Sequence, residues 1–399
     1  MSASPFSHRL PFHREPNALT RQLAALRADG TEILDLTQSN PTRAAIAYPE
    51  ELLRPLGDSG GLTYDPHPLG RRTAREAIAL DHRRRGVDVD PAHVVLTAST
   101  SEAYTWLFKL LCDPGECVLV PRPSYPLFEH LTRLEVVQAV PYDLEYHGRW
   151  TIDFARIEDA PAATRAVLVV SPNNPTGSFV STAELDRLAA LCARRGWALI
   201  ADEVFSDYNL DEGHAVTDLT TRVDVRSFSL GGASKSLGLP QVKLGWMTIG
   251  GDRRTREEVR SRLELIADTF LSVSTPVQVA APSLLQEAAV VRSAIRTRIR
   301  RNMAEARRIV AAHPSCELLH TEGGWSAVIR VPAVRSEEDL VLGLLHRERI
   351  LVHPGYFFDF RHEAYGVVSL LPEEDVFASA LNRVLDYAAV PPERLPSST

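Results

Sequence analysis

The chain has four cysteines in 399 residues, and they form no metal-ligand spacing. Cys112 and Cys117 flank Asp113-Pro-Gly-Glu116, but no second pair or histidine partner follows in register. This excludes a zinc ribbon or a disulfide scaffold and leaves reduced, mostly buried thiols. No run approaches about 18 apolar residues, so no membrane-spanning helix is expected. The opening residues, Met1 to Arg9, carry no apolar signal core, and the expectation is a cytoplasmic protein. Positive charge is not in excess. A formal net charge of -7 argues against nucleic acid or an anionic membrane as the main partner. No DNA-binding segment precedes the core, and there is no internal repeat or low-complexity tract. Only Val390 to Thr399 reads as a loose tail.

What is present is ordinary for a soluble globular chain: 44% hydrophobic and 24% charged residues, at a length of about two domains. Residues 1–16 read as an extended arm. Leu19, Leu23 and Leu26 give helical spacing behind Asn17 as a cap, with Gly30 as the stop. From His93 onward, apolar strands alternate with helices. Seven strands are expected: Val94–Thr97, Cys117–Pro121, Val136–Val140, Ala166–Ser171, Trp197–Asp202, Asp224–Leu230 and Lys243–Ile249. Their runs are continuous rather than alternating, which marks strands buried on both faces. The fold class is therefore α/β, with a large, mainly parallel sheet. After Pro276 the pattern changes to long helices and then to a smaller α+β unit, which the N-terminal segment is expected to join. The domain reading is 1–50 (arm and part of the small domain), 51–285 (large domain) and 286–399 (small domain). In the arginine-rich stretch from Arg292 to Arg308, Arg296, Arg298, Arg300, Arg301 and Arg307 read as the solvated face of an amphipathic helix.

In an open α/β sheet, ligands lie beyond the carboxyl ends of the strands. Five features fall there. Ser99-Thr100-Ser101 opens a helix, as a plain cap or as an anion site made of free N–H groups and hydroxyls. Tyr125 stands at the rigid turn Pro123-Ser-Tyr-Pro126, for packing or for stacking on a flat ring. Asn174, held extended before Pro175, either makes a turn or offers an amide to a ligand oxygen. Asp202 ends a very apolar strand, where a carboxylate needs a partner. Lys235 lies in the small-residue run Ser229-Leu-Gly-Gly-Ala-Ser234-Lys235-Ser236; it is either a solvated surface amine or, screened from water, an amine nucleophile. A ligand with a phosphate, a flat ring, a phenolic oxygen, a pyridinium nitrogen and an aldehyde answers all five.

Ser171-Pro-Asn-Asn174-Pro-Thr-Gly177, Asp202-Glu-Val and Ser234-Lys235 together resemble the class I/II aminotransferases, which are fold-type I pyridoxal-phosphate enzymes. The resemblance runs from about Glu32 to Ala388. It implies a homodimer with shared active sites, carrying an amino group from an amino donor to an oxo acid by a ping-pong route. It also implies the cofactor pyridoxal 5'-phosphate. Lys235 is then the Schiff-base lysine and proton carrier. Asp202 pairs with the pyridine nitrogen, Asn174 with the ring oxygen, and Tyr125 stacks on the ring. Thr100, Ser101, Ser234 and Lys243 surround the phosphate, and Tyr64 reaches the phosphate of the neighbouring subunit. Ser39 and Asn40 stand beside the substrate.

The chain departs from that family's pattern at four places. Phe205 replaces a tyrosine that donates to the ring oxygen, so a raised Schiff-base pKa is expected unless Tyr208 substitutes. Lys243 replaces an arginine and loses its bidentate fork. Val367 stands where the carboxylate-binding arginine is usual; either Arg361 replaces it or the substrate is not a simple α-amino acid. Ser39 replaces a glycine. These departures keep two rivals open: a lyase or decarboxylase on the same fold, and a catalytically silent ligand-binding protein.

Overall fold

The computed structural model describes residues 6–10, 15–211 and 222–391. The tail from Pro392 and parts of the N-terminal arm lie outside the described residues. The strands are β1 (Leu34–Asp35), β2 (Val94–Thr97), β3 (Cys117–Arg122), β4 (Gln138–Tyr146), β5 (Trp150–Ile152), β6 (Thr164–Val170), β7 (Ala198–Asp202), β8 (Ser227–Gly232), β9 (Gly245–Ile249), β10 (Glu317–Leu318), β11 (Ser326–Arg330), β12 (Ile350–Leu351), β13 (His353–Pro354) and β14 (Tyr365–Ser369). The helices are α1 (Ala18–Ala28), α2 (Arg72–Arg84), α3 (Thr100–Leu111), α4 (Leu127–Leu134), α5 (Phe154–Glu158), α6 (Thr182–Arg195), α7 (Ala233–Ser236), α8 (Arg253–Phe270), α9 (Thr275–Glu287), α10 (Ala289–Ala311), α11 (Glu337–Gly343) and α12 (Glu374–Ala389).

The large sheet has the order β2-β9-β8-β7-β6-β3-β4-β5. From β8 to β4 every pairing is parallel. β9 runs antiparallel between β2 and β8. All seven expected strands are present, and β5 adds an eighth as an antiparallel edge hairpin on β4. The hairpin turns at Gly148, whose φ is +84°, and its Trp150 packs with Val328, Phe358 and Val367.

The continuous apolar runs serve two cores at once. In β6, Ala166, Leu168 and Val170 face α3, α4 and α8, while Val167 and Val169 face α5 and α6. In β7, Ala198 and Ile200 divide from Leu199 and Ala201 in the same way, as the two-residue period of a strand requires. α6 begins with a reciprocal Ser181–Glu184 capping box and ends on left-handed Gly196, so its length is set locally.

A second sheet, β10-β11-β14-β13, is antiparallel throughout. The N-terminal segment joins this part of the chain, because β1 pairs with β12 and α1 packs through Leu19 on Val341 and Leu345. On α10 the arginine reading holds for Arg300, Arg301 and Arg307, which are exposed. Arg296 and Arg298 are half-buried, and Arg292, at the head of the stretch, is buried and reaches Asp81 at 3.1 Å and Asp207 at 3.5 Å.

One glycine fixes how the two sheets meet. Gly177 has φ +68°, and a Cβ there would lie 2.3 Å from Thr321 Cγ2 and 2.5 Å from the Gly323 carbonyl oxygen. Its own carbonyl accepts the N–H groups of Glu322 (3.1 Å) and Gly323 (2.9 Å). Gly177→Ala must therefore push a methyl against the Thr321 side chain and the Gly323 carbonyl while holding a left-handed conformation. It is expected to cost about 2–4 kcal/mol, seen as a lowered urea midpoint.

Candidate active site

The parallel strands deliver their carboxyl ends to one edge of the sheet, as open α/β sheets do. Asp202 is the last residue of β7, opposite Val170 of β6 and Leu230 of β8. It is 8% exposed. Burial raises the pKa of its carboxyl, against the hydrogen bonds of Tyr104 and Val204 and the charge of Lys235. The Tyr104 hydroxyl donates to Oδ2 at 2.8 Å and the Val204 N–H to Oδ1 at 3.1 Å. Burial and the adjacent Asp202 push the Tyr104 phenol well up, so it stays a donor.

Lys235 lies on α7, the single helical turn after β8. That turn is held from behind. The Tyr208 hydroxyl donates to the Lys235 carbonyl at 2.6 Å, and Arg292 Nε donates to the Ser236 carbonyl at 2.8 Å. Lys235 Nζ donates to the Ser39 carbonyl at 3.4 Å. It lies 4.9 Å from the Trp325 ring centre and 5.6 Å from that of Phe205. Burial brings its pKa down to about 8, with Asp202 opposing.

Both residues open on a cavity of about 220 Å³ that is also lined by Ser39, Thr100, Tyr125 and Asn174. Thr100 is the first residue of α3, where Ser99 Oγ accepts the Glu102 N–H at 3.2 Å as the cap. The two adjacent asparagines divide their work. Asn173 is buried and donates to the Pro123 carbonyl (3.0 Å) and Thr176 Oγ1 (2.9 Å). Asn174 faces the cavity and accepts from Ser326 Oγ at 3.4 Å.

Six expected residues do not line this cavity. Ser101 and Ser234 are sequence neighbours of Thr100 and Lys235, and both are half-buried. Lys243 is exposed, in a left-handed turn at φ +56°. Tyr64 is 75% exposed and lines a separate cavity of about 320 Å³ with Leu62, Trp106 and Leu271. Asn40 caps the short turn Pro41–Arg43, its Oδ1 accepting from Thr42 N (3.1 Å) and Oγ1 (2.8 Å). Arg361 is spent elsewhere: its guanidinium lies 3.1 Å from Asp143 Oδ2, where Arg122 also pairs with that buried acid. Tyr208 is fully buried, bonded to a backbone carbonyl and absent from the lining, so it does not stand in for the phenol that Phe205 lacks.

The structure adds residues the sequence did not mark: Thr37, Tyr104, Trp325, Ser326, His353 and Ser369. Tyr104 follows Thr100 by one helical turn, a spacing that points both to one face. Nothing local distinguishes His353 or Ser369. Among the described residues, no group of three or more His, Cys, Asp or Glu side chains is placed to hold a metal ion. Among the same residues, no helix is long and apolar enough to cross a membrane.

A family model described as aminotransferase class I and II matches residues 31–378. The chain belongs to the class I and II aminotransferases. Within that family it is 25% identical over 382 residues to a glutamate-pyruvate aminotransferase of Haemophilus influenzae, covering 92% of this chain and 93% of the relative. It is 26% identical over 380 residues to an alanine aminotransferase of Mycobacterium bovis, covering 91% and 87%. A human tyrosine aminotransferase is 31% identical over 231 residues, covering 57% of this chain and 51% of the relative. In fold, the chain superposes on an alanine aminotransferase from Pyrococcus furiosus with a TM-score of 0.84 at 23% identity, covering 93% and 95% of the two chains. The family's members generally use pyridoxal phosphate, and neither the lyase nor the silent-binder reading is favoured.

Proposed function

We propose that this chain is a pyridoxal-phosphate-dependent aminotransferase that moves an amino group from an amino acid to a 2-oxo acid in two half-reactions. The observation that carries the reading is Lys235, an amine brought down to about 8, sharing one cavity with a buried carboxylate that Tyr104 holds in place. The residues present fit the cofactor. Asp202 suits a protonated ring nitrogen, because its burial leaves it short of a counter-charge. The N-terminus of α3 with Thr100 suits the phosphate. Tyr125 offers a ring face, and Asn174 an amide for the ring oxygen.

When bound, pyridoxal phosphate supplies an aldehyde carbon for an amine and a ring that takes up the electron pair released at the substrate Cα. Lys235 would supply the amine that holds the cofactor and a base for the proton at Cα. Asp202 would keep the ring nitrogen charged. Phe205 and Trp325 exclude water above the amine. The proposal extends to a cytoplasmic homodimer in which exposed Tyr64 reaches the neighbouring active site and Lys243 faces a phosphate. The exposure of Tyr64 beside apolar Leu62 and four unpaired cysteines support this.

The test is optical. Addition of pyridoxal phosphate should give a yellow chromophore that borohydride fixes on Lys235 and not on Lys109 or Lys243. An amino donor should bleach the chromophore and a 2-oxo acid restore it. The free amine is the nucleophile and its share rises with pH through the pKa. Capture should therefore quicken as pH rises, with a midpoint near the value of about 8 set by burial and not near that of a solvated lysine. A colourless protein, or label on another lysine, overturns the reading.

A further inference from the structure

Val367 removes the arginine expected to meet a substrate carboxylate, and Arg361 is held by Asp143. Yet the cavity is not without a second basic group. His353 of β13 lines it, and in the antiparallel pairing of β13 with β14 His353 stands directly opposite Val367. Residues so paired on one face have Cβ atoms about 4.5–5.5 Å apart. Both line the cavity, so the two side chains share that face. His353 Nδ1 is buried and has no hydrogen-bond partner among the described residues, and a buried polar atom left so is costly unless a ligand completes it. The neighbouring hydroxyl is already engaged: Ser369 Oγ donates to the Gln38 carbonyl at 2.6 Å and accepts the Leu371 N–H at 3.1 Å. Lys235 and His353 are the basic residues among those lining the cavity.

We propose that His353 receives the substrate's carboxylate, one strand over from the position that Val367 leaves apolar. This rests on the aminotransferase reading and narrows its substrate class. One basic group besides Lys235 serves one carboxylate. A second carboxylate, on a substrate side chain, would find Trp325, Phe205, Phe358 and Val204 instead. The substrate is therefore a monocarboxylic amino acid with an apolar side chain.

Of the elements packed against β13, α11 carries Glu337, Glu338 and Asp339; Asp35 of β1 also acts on His353, and Lys235 and Asp202 line the same cavity. Glu337 is bonded by the N–H groups of Tyr356 and Tyr365, both at 2.8 Å. Burial holds the imidazole below its ordinary pKa, with Asp35 opposing, so it is neutral in the free protein near pH 7. An arriving carboxylate favours the imidazolium. Binding then takes up a proton and weakens as pH rises.

The experiment titrates 3-phenylpropanoate, a carboxylate with no amine to react, into cofactor-loaded protein by calorimetry at pH 6 and pH 8 in buffers of different ionisation heat. Expected are proton uptake and binding about tenfold tighter at pH 6. His353→Phe should lose about tenfold in affinity at pH 6 and lose the pH dependence, and His353→Gln, which keeps a polar side chain, should also lose the proton uptake. His353→Phe with Val367→Arg should regain binding without the pH dependence. Unchanged affinity or an unchanged pH slope in His353→Phe overturns the proposal. Chromophore formation is scored first on the same sample. Its failure overturns the aminotransferase reading, while the same titration, run without cofactor, still judges His353.

Discussion

Lys235→Ala should lower amino transfer by about 10²–10⁴-fold, the range that a positioned proton-transfer group contributes. The loss should appear in a single half-reaction with an amino acid, not only in steady-state turnover. Lys235 Nζ is held between the Ser39 carbonyl and the rings of Trp325 and Phe205, and the other basic residue lining the cavity, His353, is the proposed carboxylate partner. The variant should keep its far-ultraviolet circular dichroism, because the turn it sits on is anchored through backbone carbonyls by Tyr208 and Arg292. A variant that retains wild-type half-reaction rates would remove Lys235 from the chemistry.

Asp202→Asn is the second large effect, expected at about 10²–10³-fold, the cost of losing one preorganised electrostatic partner. An amide has no charge with which to keep a ring nitrogen protonated. In the wild type the same logic gives an acid limb to the pH profile. Burial raises the Asp202 carboxyl pKa, and as pH falls through that raised value the group gains a proton and no longer favours the charged ring. Activity must then fall toward acid. Tyr104→Phe removes one of the two hydrogen bonds to the carboxylate. That raises the pKa further and should move the acid limb to higher pH, a shift that a purely structural role for Tyr104 would not produce.

Much of this was readable in the residues because it is local. Runs such as Ala166–Val170 and Ala198–Ala201 announce strands with two apolar faces, and both cores use them alternately. Lys235, Asp202, Asn174, Thr100 and Tyr125 were legible because each follows a strand, and parallel strands bring their ends together. What escaped depends on pairings across the chain. Tyr104 meets Asp202 over 98 positions and Lys235 meets Ser39 over 196. The buried ion network of Arg292 with Asp81 and Asp207 carried no mark in the sequence, since composition does not reveal which face of a helix turns inward. Arg361 failed as a carboxylate partner for a related reason. A guanidinium goes to the nearest buried acid, and only the fold shows that this is Asp143.

The position of Tyr104 on α3 has one more consequence. Thr100, which lines the cavity, and Tyr104, which grips Asp202, belong to the same helix four residues apart. Their separation along the axis is about 6 Å and is set by helical rise alone. A rigid rod thus gauges the span of whatever lies between them. Sliding α3 along its axis therefore carries Thr100 and Tyr104 together, and neither contact shifts without its counterpart.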